Sequence, residues 1–271
     1  SLAVLYWNRV PGTSVLVRPG KKMENSAVVK ADSPFTGFAG ALAYGASGIA
    51  AQMLDSRDEI SPNTGLGANK VWFFFSNHAA LCLGHGITSV LPLRAETVVD
   101  QRLGGVETSP SFPESGVQKL EDVPSMTAGS FSYFFPSGGP LRGARKAGKD
   151  GGYTLWFDHG LKASNASYAY GVLPGSDAQA LKMAAEGKTL RILAHTARAM
   201  AVRDERNGET GYAFFAPAEV DDFSAARPCI AWARQEGNLR ILRVSDPAQV
   251  RDDLTVRLRG LWKAVDLPPR I

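Results

Sequence analysis

Residues 152–159 read Gly152-Tyr153-Thr154-Leu155-Trp156-Phe157-Asp158-His159, and this octad decides the fold class. Tyr153, Leu155 and Phe157 fall on one side of an extended chain, and Thr154, Trp156 and Asp158 on the other. Successive side chains of a strand point to opposite faces, so a period of two marks a strand with one apolar face. Tyr168, Tyr170 and Val172 repeat the pattern downstream. Near the end, Leu254, Val256 and Leu258 alternate with Thr255, Arg257 and Arg259. Working outward, strands are also predicted at 40–44, 48–54, 70–76, 97–103, 130–135, 190–195, 212–215, 229–234 and 239–244. The 28 glycines and 16 prolines scattered between these runs supply the turns that many short strands require.

One segment has helical spacing instead. In Ser176-Asp177-Ala178-Gln179 the Ser176 hydroxyl can accept from a backbone amide while Gln179 reaches back. Ala180, Leu181, Ala184 and Ala185 follow at helical intervals, and Gly187 suits the left-handed position after a helix. Residues 108–127, rich in Ser, Pro and Glu, and the Gly- and Lys-rich residues 138–152 read as surface loops. Antiparallel strands cannot leave their inner faces wet. The expected class is therefore all-β, with a large antiparallel sandwich over residues 1–188 and a smaller β-sandwich over 189–271.

Composition narrows the function classes. The chain has 271 residues, 44% of them apolar and 9% aromatic, with a net charge of +4. That small excess suits a polyanionic ligand without identifying one. No basic run is interleaved with aromatics, so nucleic acid is not an expected partner. The longest apolar stretches, such as 71–75, have strand length, so no membrane span is expected. Cys82 and Cys229 could form one disulfide, but the preferred reading is two small buried apolar residues. No metal-ligand spacing occurs, and no cofactor is expected. The opening run Leu2-Ala3-Val4-Leu5-Tyr6-Trp7, with neither an initial Met nor a signal peptide, reads as the middle of something: a fragment or a processed product.

Several phrases together resemble polysaccharide lyase family 8, the hyaluronate, chondroitin AC and xanthan lyases. Trp7-Asn8-Arg9-Val10-Pro11-Gly12-Thr13 resembles its Trp-x-x-x-Pro-Gly-Thr segment, and Leu66-Gly67-Ala68-Asn69-Lys70-Val71-Trp72-Phe73 its Ala-x-Lys-Ser-Trp-Phe strand. Leu83-Gly84-His85-Gly86-Ile87 is similar to a Leu-Gly-x-x-Ile turn, and Thr97-Val98-Val99-Asp100-Gln101-Arg102 to an Asp-Gln-Arg strand. Phe157-Asp158-His159-Gly160, Asn165 to Tyr170 and Leu173-Pro174 follow in the family's order, then Ser245-Asp246-Pro247-Ala248-Gln249. One departure is Ala128-Gly129-Ser130-Phe131-Ser132-Tyr133, where the family has a His-containing segment; another is a short connection from Phe135 to Tyr153.

The resemblance implies a β super-sandwich like that of galactose mutarotase, then a small C-terminal β-sandwich. It also implies β-elimination next to a uronic acid, whose carboxylate must be neutralised while a base takes the carbon-5 proton and an acid protonates the leaving oxygen. In the family the Asn, His, Tyr and Arg for this come from an N-terminal helical toroid, expected here as a partner domain of the same enzyme. No catalytic residue is therefore expected within the chain. Met23-Glu24-Asn25 sits on the wrong side of Pro11-Gly12-Thr13 to be the family's supporting Glu and reads as a polar loop. His78 and His85 read as turn residues, and His195 as facing solvent or the domain junction. His159 reads as a strand-end holder, because Asp158 and His159 point to opposite faces.

The residues chosen to line a sugar cleft are Trp7, Asn8 and Arg9, with Arg9 offering a guanidinium fork to a sugar carboxylate. The expected partner is an acidic polysaccharide, and the expected location secreted or periplasmic in a bacterium. Two other readings stand beside this: a stand-alone carbohydrate-binding β-sandwich, and a mutarotase-like epimerase, for which no His and Glu pair can be placed.

Overall fold

The octad lies in a strand running from Gly152 to Leu161. The computed structural model describes residues 9–17, 37–55, 65–76, 79–113, 116–146, 151–175, 177–237, 239–250, 254–258 and 261–265. Its strands begin with β1 (Ser14–Val17), β2 (Ala39–Tyr44), β3 (Ser47–Asp55), β4 (Leu66–Phe74), β5 (Ala80–Ser89) and β6 (Arg94–Leu103). Next come β7 (Thr108–Ser109), β8 (Val117–Leu120), β9 (Ser125–Ala128), β10 (Phe131–Phe134), β11 (Leu141–Lys146), β12 (Gly152–Leu161) and β13 (Ala166–Pro174). Helix α1 (Ala178–Ala185) precedes β14 (Leu190–His195), β15 (Ala199–Asp204), β16 (Glu209–Phe214), β17 (Ala218–Val220) and β18 (Phe223–Ala225). The last four are β19 (Cys229–Glu236), β20 (Leu239–Ser245), β21 (Leu254–Leu258) and β22 (Leu261–Val265). The class is all-β and antiparallel, a super-sandwich followed by a C-terminal β-sandwich.

Two compact units emerge, neither continuous in sequence: Ser1–Pro34, Asp55–Gly67 and Ile87–Ala185 in one, Phe35–Leu54, Ala68–Gly86 and Glu186–Ile271 in the other. In the first, one sheet runs β1-β6-β12-β11-β8, and a second ladder runs β13-β10-β9-β7. The predicted apolar face of β12 is core: Tyr153, Leu155 and Phe157 are at most 1% exposed. Phe157 meets Phe135, Tyr168 and Tyr170 from the other ladder at centroid distances of 6.1, 5.7 and 6.4 Å. Two glycines let rings approach the backbone. A Cβ on Gly171 would lie 1.9 Å from the Phe134 ring, and one on Gly143 2.3 Å from Phe112.

In the second unit, the sheet β14-β15-β16-β19-β20 packs on the sheet β17-β18-β21-β22. Tyr212, Phe214, Cys229 and Ala231 from the first meet Val220, Phe223, Leu254 and Val256 from the second. The opposite face of the five-stranded sheet receives β2 to β5. Phe75 lies 5.5 Å from Trp232, Phe38 5.3 Å from Phe215, and the Ser47 hydroxyl donates to buried Glu209 at 2.7 Å. Gly211 is the close-approach point, since a Cβ there would sit 2.7 Å from Phe73 and 2.8 Å from Trp232.

Several expectations need correction. Residues 108–127 and 138–152 are not plain loops: they hold β7, β8, most of β9 and β11, and β11 lies inside a sheet between β12 and β8. Leu83 to Ile87 is no turn but the middle of β5. Asp177 caps α1, its Oδ1 accepting from the Ala180 amide at 2.7 Å. Ser176 lies outside the described residues. Cys82 and Cys229 are both buried free thiols, as the preferred reading had it.

Candidate functional site

The outer face of β12 carries the polar half of the octad, and it becomes a charged cluster. Trp156 sits opposite Val98 on β6 and Arg142 on β11, while Asp158 sits opposite Glu96. Two carboxylates directly across a ladder repel one another, so the pair persists only with cations around it. Arg94 Nη1 donates to both Asp158 oxygens at 2.5 and 2.6 Å, and Arg142 Nε donates to Oδ2 at 3.3 Å. Arg9 Nη2 donates to Glu96 Oε2 at 2.5 Å, and its guanidinium lies 4.8 Å over the Trp156 ring. Chain around Arg9 is pinned too: the Gly12 amide donates to Val98 O, the Val98 amide to Thr13 O, and the Thr13 hydroxyl to Val10 O.

The two carboxyls titrate in opposite directions. Burial raises Glu96 above the ordinary carboxyl value; Arg9 pulls it back, Asp158 pushes it up, and Arg94 and the Trp156 indole lower it. Burial pushes Asp158 up as well, but the Arg94 hydrogen bonds, the Gly160 amide and the charges of Arg94 and Arg142 outweigh it and hold Asp158 low. The side chains of Glu96 and Asp158 are 4% and 9% exposed, against 17% for Arg9, 22% for Arg142 and 42% for Arg94. Acid lies beneath and guanidinium above. Such a face presents cationic N–H forks to an anionic ligand.

A register shift in β12 between Leu155 and Trp156 gives β6 a second role. Asp100 falls opposite Leu155, and it anchors a different network. Its Oδ2 accepts from the Tyr133 hydroxyl at 2.5 Å, from the Tyr153 hydroxyl and from Arg102 Nε at 2.8 Å. Its Oδ1 accepts from the Gln101 amide at 2.8 Å. Burial first, then the Asp100 charge, raises both tyrosines, so neither phenol ionises near neutral pH. Both are core residues, and the network braces β6, β10 and β12.

The other residues singled out in the sequence divide cleanly. Trp7, Asn8, Met23, Glu24, Asn25 and His78 lie outside the described residues, as does the side chain of Trp262. Arg9 is placed, and its fork is shared with Glu96. His159 Nε2 is 2.9 Å from Thr97 Oγ1, whose hydroxyl also pairs with Ser14, while Asp158 turns to its arginines. His195, in the second unit, pairs with Gly84 O at 2.9 Å and meets His85 edge-on at 5.5 Å. Desolvation lowers both imidazoles. Trp156 and Trp232 are core, and half-buried Trp72 carries Lys70 Nζ 5.2 Å from its ring. Glu96, Arg94 and Arg142 were not singled out from sequence. Extending the predicted strand 97–103 three residues toward its start would have put Arg94 and Glu96 on the face of Val98.

Comparisons with known proteins agree along the chain. The model described as polysaccharide lyase family 8, super-sandwich domain, matches residues 2–185, and that described as the family's C-terminal beta-sandwich domain matches 191–255. Hyaluronate lyase of Thermasporomyces composti is 30% identical over 285 residues, covering 92% of this chain and 34% of that protein. Chondroitinase-AC of Pedobacter heparinus is 23% identical, covering 96% of this chain and 39% of its own length. Among solved structures, Streptomyces coelicolor chondroitin AC lyase with chondroitin sulphate superposes with a TM-score of 0.75 at 26% identity, over 93% of this chain and 34% of that one. Paenibacillus xanthan lyase shares the fold with a TM-score of 0.77 at 23% identity, over 92% of this chain and 26% of that one. The chain thus spans well under half the length of these relatives.

Proposed function

The chain belongs to polysaccharide lyase family 8, and on that premise we propose that it is the β-sheet portion of an enzyme that cleaves a uronic-acid-containing polysaccharide by β-elimination. The substrate is a polymer of the hyaluronan, chondroitin or xanthan type. The Asn that neutralises the carboxylate, the His and Tyr that act as base and acid, and an Arg beside them stand on an N-terminal helical domain of the same protein, and this chain forms the wall opposite. Identity to a hyaluronate lyase spread over 92% of the chain carries the reading, and the guanidinium-topped face of β6 and β12 supports it. Trp7, Asn8 and Arg9 are proposed to line the cleft. A secreted or periplasmic location in a bacterium is proposed with it, because a polysaccharide of this type is met outside the cytoplasm.

The division of labour follows from the chemistry. Abstracting a proton beside a carboxylate builds negative charge, so the site must neutralise that carboxylate before a base can act. Guanidinium groups cannot serve as bases near neutral pH, but they orient a carboxylate with two parallel hydrogen bonds. The test is to incubate hyaluronan, chondroitin and xanthan with this chain alone and with the full-length protein, following the ultraviolet absorbance of unsaturated uronate. Absorbance is expected to rise only with the full-length protein. Turnover by the chain alone refutes the division of labour, and no turnover by either preparation refutes the reading.

A further inference from the structure

We propose that Glu96 is a positioning residue: through its hydrogen bond to Arg9, over the Trp156 ring, it aims the Arg9 guanidinium at a uronate carboxylate of the substrate. The inference rests on the lyase reading above and names the device by which this wall recognises charge. An arginine on a free chain samples many rotamers, and a carboxylate-binding fork works only when its plane is fixed. Here three contacts fix it. Glu96 Oε2 holds Nη2 at 2.5 Å, the Trp156 ring supports the guanidinium at 4.8 Å, and Gly12 and Thr13 bond to Val98, two residues along the same strand. Trp156 also donates its indole N–H to Glu96, so the carboxylate orients both platform and fork.

A purely structural ion pair explains the arrangement less well. Glu96 is buried opposite Asp158, a costly place for a carboxylate. Arg94 and Arg142 already neutralise Asp158, so an apolar residue at 96 would relieve the repulsion. Arg9, by contrast, keeps part of its guanidinium in solvent, its side chain 17% exposed above a Glu96 that is 4% exposed. With Nη2 committed to Glu96, Nη1 at the tip of the guanidinium is the donor assigned to the ligand, so one cation is shared between a fixed carboxylate and a mobile one.

The test is a double-mutant cycle in the full-length protein, with Glu96→Gln, Arg9→Ala and the pair, measuring kcat and KM on the uronate polymer it cleaves. Gln keeps the shape of Glu96 and an acceptor but loses the charge that fixes Arg9. Glu96→Gln is expected to raise KM about tenfold with kcat within about twofold, the loss of one charge-assisted hydrogen bond's worth of orientation. In the Arg9→Ala background the same change should leave KM where Arg9→Ala alone put it. A structural role would lower the thermal midpoint and leave KM unmoved or the two effects additive, and either result overturns the inference. If the wild-type protein cleaves uronate polymers and Glu96→Gln matches it in KM, only the role of Glu96 falls. If the wild type cleaves none, the lyase reading falls and takes the inference with it.

Discussion

Replacing Asp158 by Asn removes one negative charge from beneath two arginines while keeping the side chain's shape. Asp158 accepts two hydrogen bonds from Arg94, one from Arg142 and one from the Gly160 amide at 3.0 Å. An Asn amide turns an N–H group toward at least one guanidinium, so two donors face each other. A hydrogen bond to a charged group contributes about 1.5–3 kcal/mol, and breaking a fully buried ion pair costs about 3–5 kcal/mol. Arg94 is 42% and Arg142 22% exposed, so water takes up part of the loss, and relief of repulsion on Glu96 offsets a little more. The expected loss is about 2 kcal/mol near neutral pH. The sign with pH follows from the depressed carboxyl. Its stabilisation is present above the unfolded-state value and is lost as pH falls through the folded-state value. Urea unfolding of wild type and Asp158→Asn should therefore differ near neutral pH and converge in acid. Equal midpoints near neutral pH, or a gap that does not shrink at all as the medium is acidified below the ordinary carboxyl value, would refute the reasoning.

Gly171→Ala places a methyl 1.9 Å from the buried Phe134 ring. Overpacking of that degree should cost about 3 kcal/mol or more and show as a lowered urea midpoint. Lys70 is buried, and desolvation lowers its amine to about 8. A lysine held low destabilises the fold at neutral pH, and the cost is relieved as pH rises through the folded-state value toward the unfolded one. Stability of the wild type should climb above about pH 8 relative to Lys70→Met, and parallel pH curves would contradict this. Burial pushes the Cys229 thiol up to about 12, so it should stay inert to a thiol reagent until urea unfolds the chain.

How far the sequence could be read depended on whether a signal was local. The alternation of Tyr153, Leu155 and Phe157 against Trp156 and Asp158 is local, and it predicts the core face that the structure bears out; the other side is not wet along its length, since Thr154 and Trp156 are buried as well and only Asp158 is partly exposed. Strand β11 was hidden because Leu141-Arg142-Gly143-Ala144-Arg145 has loop-like composition. It is a strand because Gly143 admits Phe112, and because β12 and β8 pair on either side. His85 looked like a turn residue between two glycines, yet it lies within β5 and meets His195, a partner 110 positions away. The Arg9 to Glu96 bond spans 87 residues, a distance at which neither period nor motif carries information. Likewise, the register shift that sends Asp100 to the tyrosines and Glu96 to Arg9 depends on pairing with β12, which no single stretch encodes.

Hydrolysis and elimination differ by one molecule of water, and mass spectrometry of the products separates them. Hyaluronan, chondroitin or xanthan fragments of defined length, digested by the full-length protein, should give product pairs whose masses sum to that of the parent, one member carrying an unsaturated uronate. Products that sum to the parent plus one water would mean hydrolysis, and the β-strand wall described above would then serve a different reaction.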